Sequence, residues 1–117
     1  MKVVINRCFG GFGLSHEAIM KYAALSGLEL IAVESDTAPT LIPYHYYIGS
    51  VDEENYWSDY SLDRSDPNLI KIVEQMGDSA NSRFSELSVV EIPDDVKWHL
   101  HEYDGIEHVA EDHRTWR

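Results

Sequence analysis

Three glycines in four residues, Gly10, Gly11 and Gly13, separate a β-branched run from a segment that carries helix-start signals. Ahead of them, Val3, Val4 and Ile5 give Lys2 to Arg7 the pattern of a buried strand. Behind them, Ser15 is placed to cap a helix, and Glu17 falls in its first turn, where a negative charge suits the helix dipole. Leu14 and Ile19 fit a hydrophobic staple across that start. Ile19, Tyr22, Ala23 and Ser26 share one helical face, and Gly27 ends the run. The first quarter of the chain therefore has to be strand, glycine loop, helix. Backbone N–H groups of such a loop can hold an anion.

Leu28 to Val33 reads as a second strand. Leu41 to Ile48 reads as a third, with Pro43 confining it to an edge or a bulge. Asp52 to Asp63 mixes acids with Tyr56, Trp57 and Tyr60, so residues 36–64 form a long surface excursion with aromatic anchors. Such loops carry specificity; the competing reading is that the aromatics only pin the loop to the core. Asp66 and Pro67 open a second helix, its stripe is Leu69, Ile70, Val73 and Met76, and Gly77 closes it. Leu87 to Ile92 is a further strand, and Pro93-Asp94-Asp95 a turn.

The strongest β signal is Val96 to Ala110, where Asp104-Gly105 sits between two alternating runs as a two-residue hairpin turn. The register pairs Tyr103 with Ile106, Glu102 with Glu107, His101 with His108, Leu100 with Val109 and His99 with Ala110. Val96, Trp98, Leu100 and Val109 then face the core, and His99, His101, Tyr103 and His108 face away. The order β-α-β-β-α-β-β-β predicts an α+β two-layer sandwich. It consists of a mixed, mainly antiparallel sheet of five or six strands with two helices on one face.

At 117 residues, with 44% hydrophobic side chains, the chain fits one domain spanning 1–117. Its 21 acids against 9 bases give a net charge of -12, which disfavours direct contact with nucleic acid or anionic lipid. The acidity instead suits a basic protein partner or plain solubility. The lone cysteine, Cys8, allows no disulfide within the chain and reads as a small core residue of a protein from a reducing compartment. With no apolar run near membrane-span length and no leader pattern, a cytoplasmic location is expected.

Candidate chemistry falls in three places. The loop lacks the Lys and Ser/Thr of a Walker A motif and the spacing of a dinucleotide fingerprint. What it offers an anionic ligand is Asn6, Arg7, Phe9, Gly10, Gly11, Phe12, Gly13 and Ser15; the alternative is a tight structural turn. The hairpin offers His99, His101 and His108 as three imidazoles on one face, a zinc-like set that a one-residue slip would destroy. Exposed polar residues are the ordinary content of such a face, and no cofactor is otherwise called for. The tail offers His113 as a general base beside Glu107, Glu111 and Asp112, and Arg114 to share an anion with Arg7.

The segments Ile5 to Ser15, Val90 to Asp95 and Tyr103-Asp104-Gly105, with His113-Arg114-Thr115-Trp116, resemble a family of small uncharacterised proteins encoded mainly by bacteriophages. The resemblance covers both ends of the chain and not residues 36–64. It implies expression inside an infected bacterium and a composite site in which the glycine loop meets Arg114 and Trp116. His99 and His101 stand outside that family's pattern, and no activity travels with it. Three functions are then in play. The first is binding of a small anionic, nucleotide-like ligand, as in sequestering a signal of host immunity. The second is acidic inhibition of a host defence enzyme by protein contact. The third is a small histidine-dependent hydrolase. An edge strand and surplus aromatics also suit a homo-oligomer.

Overall fold

The computed structural model describes residues 1–35 and 44–112. The first part of the expected third strand, Pro43 included, lies outside the described residues, and so do His113, Arg114 and Trp116. The described elements are β1 (Lys2–Asn6), α1 (His16–Ser26), β2 (Leu30–Glu34), β3 (Tyr44–Ile48), β4 (Tyr56–Trp57), α2 (Pro67–Met76), β5 (Leu87–Glu91), β6 (Trp98–Tyr103) and β7 (Ile106–Glu111). Short 3-10 turns occupy Glu53–Asn55, Asp59–Ser61 and Gly77–Ala80. No described helix is long and apolar enough to cross a membrane.

Both helices start where their caps place them. Ser15 accepts the Ala18 N–H at 3.2 Å, and Gly27 closes α1 in the left-handed conformation. Asp66 accepts the Asn68 N–H at 2.8 Å, with Pro67 at the first helical position. Asp66 also accepts the Tyr22 hydroxyl at 2.5 Å, which ties the start of α2 to the middle of α1. The buried stripe of α2 is Leu69, Ile72 and Val73. Ile72 was not in the expected stripe. It is needed because α2 packs against α1 as well as against β1 and β5, so its apolar arc is wide.

The α+β class, with two helices and antiparallel strands, is the observed one. The strands do not join into one mixed sheet: they divide into β1-β5, β2-β3-β4 and β6-β7, each pairing antiparallel. The reason lies at the free edge of β1. There the Val4 N–H donates to the Arg64 carbonyl at 2.8 Å, and the Asn6 N–H donates to the Glu107 carboxylate at 2.9 Å. A loop carbonyl and a side chain fill the edge where a third strand would have paired. The hairpin β6-β7 has the expected register throughout.

Trp57 anchors the excursion. It is buried edge-on against Tyr46, with ring centroids 6.2 Å apart, and near-parallel to Tyr22. Its neighbours Tyr56 and Tyr60 are exposed. The aromatic excursion thus both pins itself and presents two tyrosines.

Candidate functional site

The glycine loop is built around Asn6, which is fully buried at the end of β1. Its amide nitrogen donates to the Cys8 carbonyl at 2.8 Å and to the Gly105 carbonyl at 2.6 Å. Its oxygen accepts the Glu86 N–H at 2.8 Å. One side chain therefore joins the loop, the hairpin turn and the approach to β5. The hairpin turn lies directly on the loop: the Gly10 N–H donates to the Asp104 carbonyl, and a Cβ at Gly105 would sit 2.3 Å from the Gly11 nitrogen. Only a glycine allows that approach. At Gly10 a Cβ would meet Phe84 at 2.8 Å, whereas at Gly11 it would meet only the Tyr60 hydroxyl, at 3.9 Å.

Beneath the turn, Arg64 grips Glu107 with two nitrogens, at 2.5 and 2.9 Å, and both side chains are largely buried. The guanidinium lies 3.6 Å from the centre of the Phe12 ring, which is itself buried. Phe12 is thus a packing residue covered by a cation. A shallow hollow of about 500 Å³ borders this side, with Glu102, Asp104 and Tyr60 at its margin.

The helix mouth is already supplied with partners. The Leu14 N–H donates to the Asp59 carboxylate at 2.9 Å, and the Ser15 N–H donates to the Ala80 carbonyl at 2.8 Å. An internal carboxylate therefore occupies the place where an external anion was expected to sit. Gly11, Phe12 and Gly13 are the loop residues from Gly10 to Ser15 whose amides have no hydrogen-bond partner among the described residues. Arg7 is exposed and lines neither hollow, and Phe9 points into solvent. Cys8 is half-buried, its thiol donating to the Phe84 carbonyl at 3.1 Å, so it is not the core residue expected.

On the other side of the loop lies a larger hollow, of about 710 Å³. Residues Gly10 to Ser15 form one wall, and His16, Tyr44, Tyr46, Tyr56, Tyr60 and Phe84 give it an aromatic lining. The His16 ring stacks on Tyr44, with centroids 4.0 Å apart and planes 17° from parallel, and its Nδ1 lies 2.8 Å from the Tyr46 hydroxyl. Burial, with the Asp59 charge and Tyr44 adding, pushes that hydroxyl up to about 12, so it keeps its proton at neutral pH. Burial also raises the Asp59 carboxyl above the ordinary aspartate value, against the Leu14 amide, which lowers it. The cation of the hollow is Arg83, which is exposed and pairs with no carboxylate among the described residues.

The candidate residues from the sequence thus separate. Gly10, Gly11, Phe12, Gly13 and Ser15 do line the large hollow, Asn6 supports it from behind, and Arg7 and Phe9 are elsewhere. The histidines of the hairpin keep their register. His101 and His108 lie opposite each other, with ring centroids 4.8 Å apart, while His99 Nδ1 is held by Asp112. No three potential metal ligands converge among the described residues. His16, Asp59 and Arg83 were not singled out from the sequence, because they come from three separate segments and carry no local motif.

No family model, curated protein or solved structure matches the chain.

Proposed function

We propose that the protein binds a small anionic, nucleotide-like ligand in the larger hollow. The observation that carries this reading is the aromatic lining beside a guanidinium that pairs with no carboxylate among the described residues: Tyr56, Tyr60 and Phe84 at the rim, with Arg83 next to Phe84. Exposed tyrosines offer faces on which a planar ring stacks, worth about 1–3 kcal/mol per base in nucleic-acid sites. Arg83 supplies a fork for an anionic group. The amides of Gly11 and Gly13 are further donors on the same wall. The hollow's volume falls within the range of small-molecule sites.

Binding without turnover is the role this combination supports. In the bacteriophage setting that the sequence resemblance implies, such a protein would sequester a nucleotide signal of host immunity. Thermal melting against a panel of cyclic and linear nucleotides tests the reading directly. A rise in melting temperature with at least one member, lost in Arg83→Ala, is expected. A panel that leaves the melting temperature unchanged sinks it.

A further inference from the structure

The hairpin β6-β7 is docked by its turn end. Gly105 lies on the glycine loop, and Glu107 is gripped by Arg64. Trp98, Leu100 and Val109 share the face of Glu107, yet they are only half-buried and are not among the described residues packed on the core. No β6 residue lines the larger hollow.

Backbone bonding fixes which groups of β6 point outward. The Asp112 N–H donates to the Lys97 carbonyl at 2.8 Å, so the residues that bond to β7 are those in step with Lys97: His99, His101 and Tyr103. The N–H and C=O groups of Trp98, Leu100 and Glu102 point the other way. No described strand pairs with them there, and no described group bonds to them. On the free side of β5, by contrast, the Leu87 N–H is taken by the Asn81 side chain. Exposed edges are ordinarily blunted by a proline, a lysine or a bulge. β6 has none of these within Trp98–Tyr103, and its register with β7 is unbroken.

The charge around this edge chooses its occupant. Asp95, Glu102, Asp104 and Glu111 are exposed and have no cationic partner among the described residues. Lys97 is the one lysine or arginine between Val96 and Asp112. A second copy would bring the same acids and a further net charge of -12 to the contact. A strand carrying lysine or arginine brings the complement. We infer that the outer edge of β6 is a docking site for an extended basic segment of another protein, which joins the hairpin as a third strand. Main-chain bonds to Trp98, Leu100 and Glu102 would hold it. The surface is independent of the larger hollow, so the two readings stand or fall separately.

The probe is a peptide of alternating lysine and valine, as long as β6. One control carries glutamate in place of lysine; a second keeps the lysines but has every amide N-methylated, so that it has no N–H to donate. Amide hydrogen exchange of the wild-type protein, read residue by residue, reports the edge. The basic peptide should slow exchange at Trp98, Leu100 and Glu102, roughly tenfold at a peptide concentration ten times its Kd. The glutamate control should slow none of them, and the N-methylated control should not bind. Leu100→Pro removes one outward N–H without touching a bond to β7, and should weaken the basic peptide. Because both controls act on the wild-type protein, the test does not depend on that variant folding. No slowing at the three amides overturns the inference. Equal slowing by the glutamate control overturns it too, as does N-methylated peptide that binds as tightly, which would mean attraction by charge alone. Slow exchange at the three amides in the protein alone overturns it as well. A dependence on protein concentration would then assign the edge to a second copy, and independence would assign it to the chain itself.

Discussion

On the hairpin side of the glycine loop, polar groups meet protein partners. Asn6 bonds to three segments, Glu107 takes both Arg64 nitrogens and the Asn6 amide, and Gly105 lies against the loop backbone. On the aromatic side, Arg83 has no anionic partner among the described residues, and Tyr56, Tyr60 and Phe84 remain exposed. The same residues, Gly10 to Phe12, border both. One face is finished by the chain itself, and the other is left with groups that suit an external molecule. A glycine loop is therefore not a site by composition. Gly10 of the loop and Gly105 of the hairpin turn that lies on it are required by packing, and whatever binding capacity remains lies on the face that packing leaves open.

The largest effect should come from breaking the finished side. Glu107→Ala strands the Arg64 guanidinium and the Asn6 amide away from water, and unfolding in urea should show a loss of about 3–5 kcal/mol. Replacing the pair together, Arg64→Leu with Glu107→Leu, should recover part of that loss, since it leaves no uncompensated charge. A single-variant loss under about 1 kcal/mol would mean the pair is solvated and the contrast is false.

The two glycines of the contact sharpen the comparison next. Gly105→Ala forces a methyl against the Gly11 backbone at a position with φ of 90°, so strain and overlap add. Gly11→Ala meets only the Tyr60 hydroxyl, at an ordinary contact distance of 3.9 Å, so only its φ of 102° is strained, at a cost of about 1–3 kcal/mol. Chemical denaturation should rank Gly105→Ala as clearly worse. Equal losses would mean that the hairpin turn does not press on the loop.

Much of the finished side could be read from sequence, because its signals are local. Asp104-Gly105 fixed the hairpin register, and Ser15 and Asp66-Pro67 marked the helix starts. The docking of that hairpin was not legible: Arg64 and Glu107 are 43 residues apart, and nothing near either one announces the other. The same two residues explain why a single sheet was expected and is not observed, since the Arg64 carbonyl and the Glu107 carboxylate close the β1 edge. The open side was legible in part. Its loop wall and the tyrosines of the excursion stood out. His16, Asp59 and Arg83 are brought in by tertiary packing alone, and Arg7, the cation nearest in sequence, points elsewhere.

On the open side, removing a rim aromatic should cost binding and not folding. Tyr60→Ala should leave the unfolding free energy within about 0.5 kcal/mol of wild type, as for a surface residue. The same variant should weaken capture of a bound nucleotide by about 1–3 kcal/mol. A stability loss as large as that of Gly105→Ala would make Tyr60 part of the packed side, and its exposure would then have no bearing on ligands.

The smallest effect is the pH dependence that Asp59 confers without any ligand. Its folded-state value is raised, chiefly by burial, so just above the ordinary aspartate value the folded protein binds more protons at this site than the unfolded chain does. Stability contributed by this group therefore falls as pH rises through that window and is restored on acidification. Asp59→Asn removes the titration while keeping an oxygen that can accept the Leu14 N–H. The variant should gain on wild type at neutral pH, and the two should converge as pH drops toward the ordinary aspartate value. If Asp59→Asn is the less stable protein at neutral pH, the carboxylate is holding the helix mouth by its charge. The internal anion would then belong with the finished side of the loop and not with the open one.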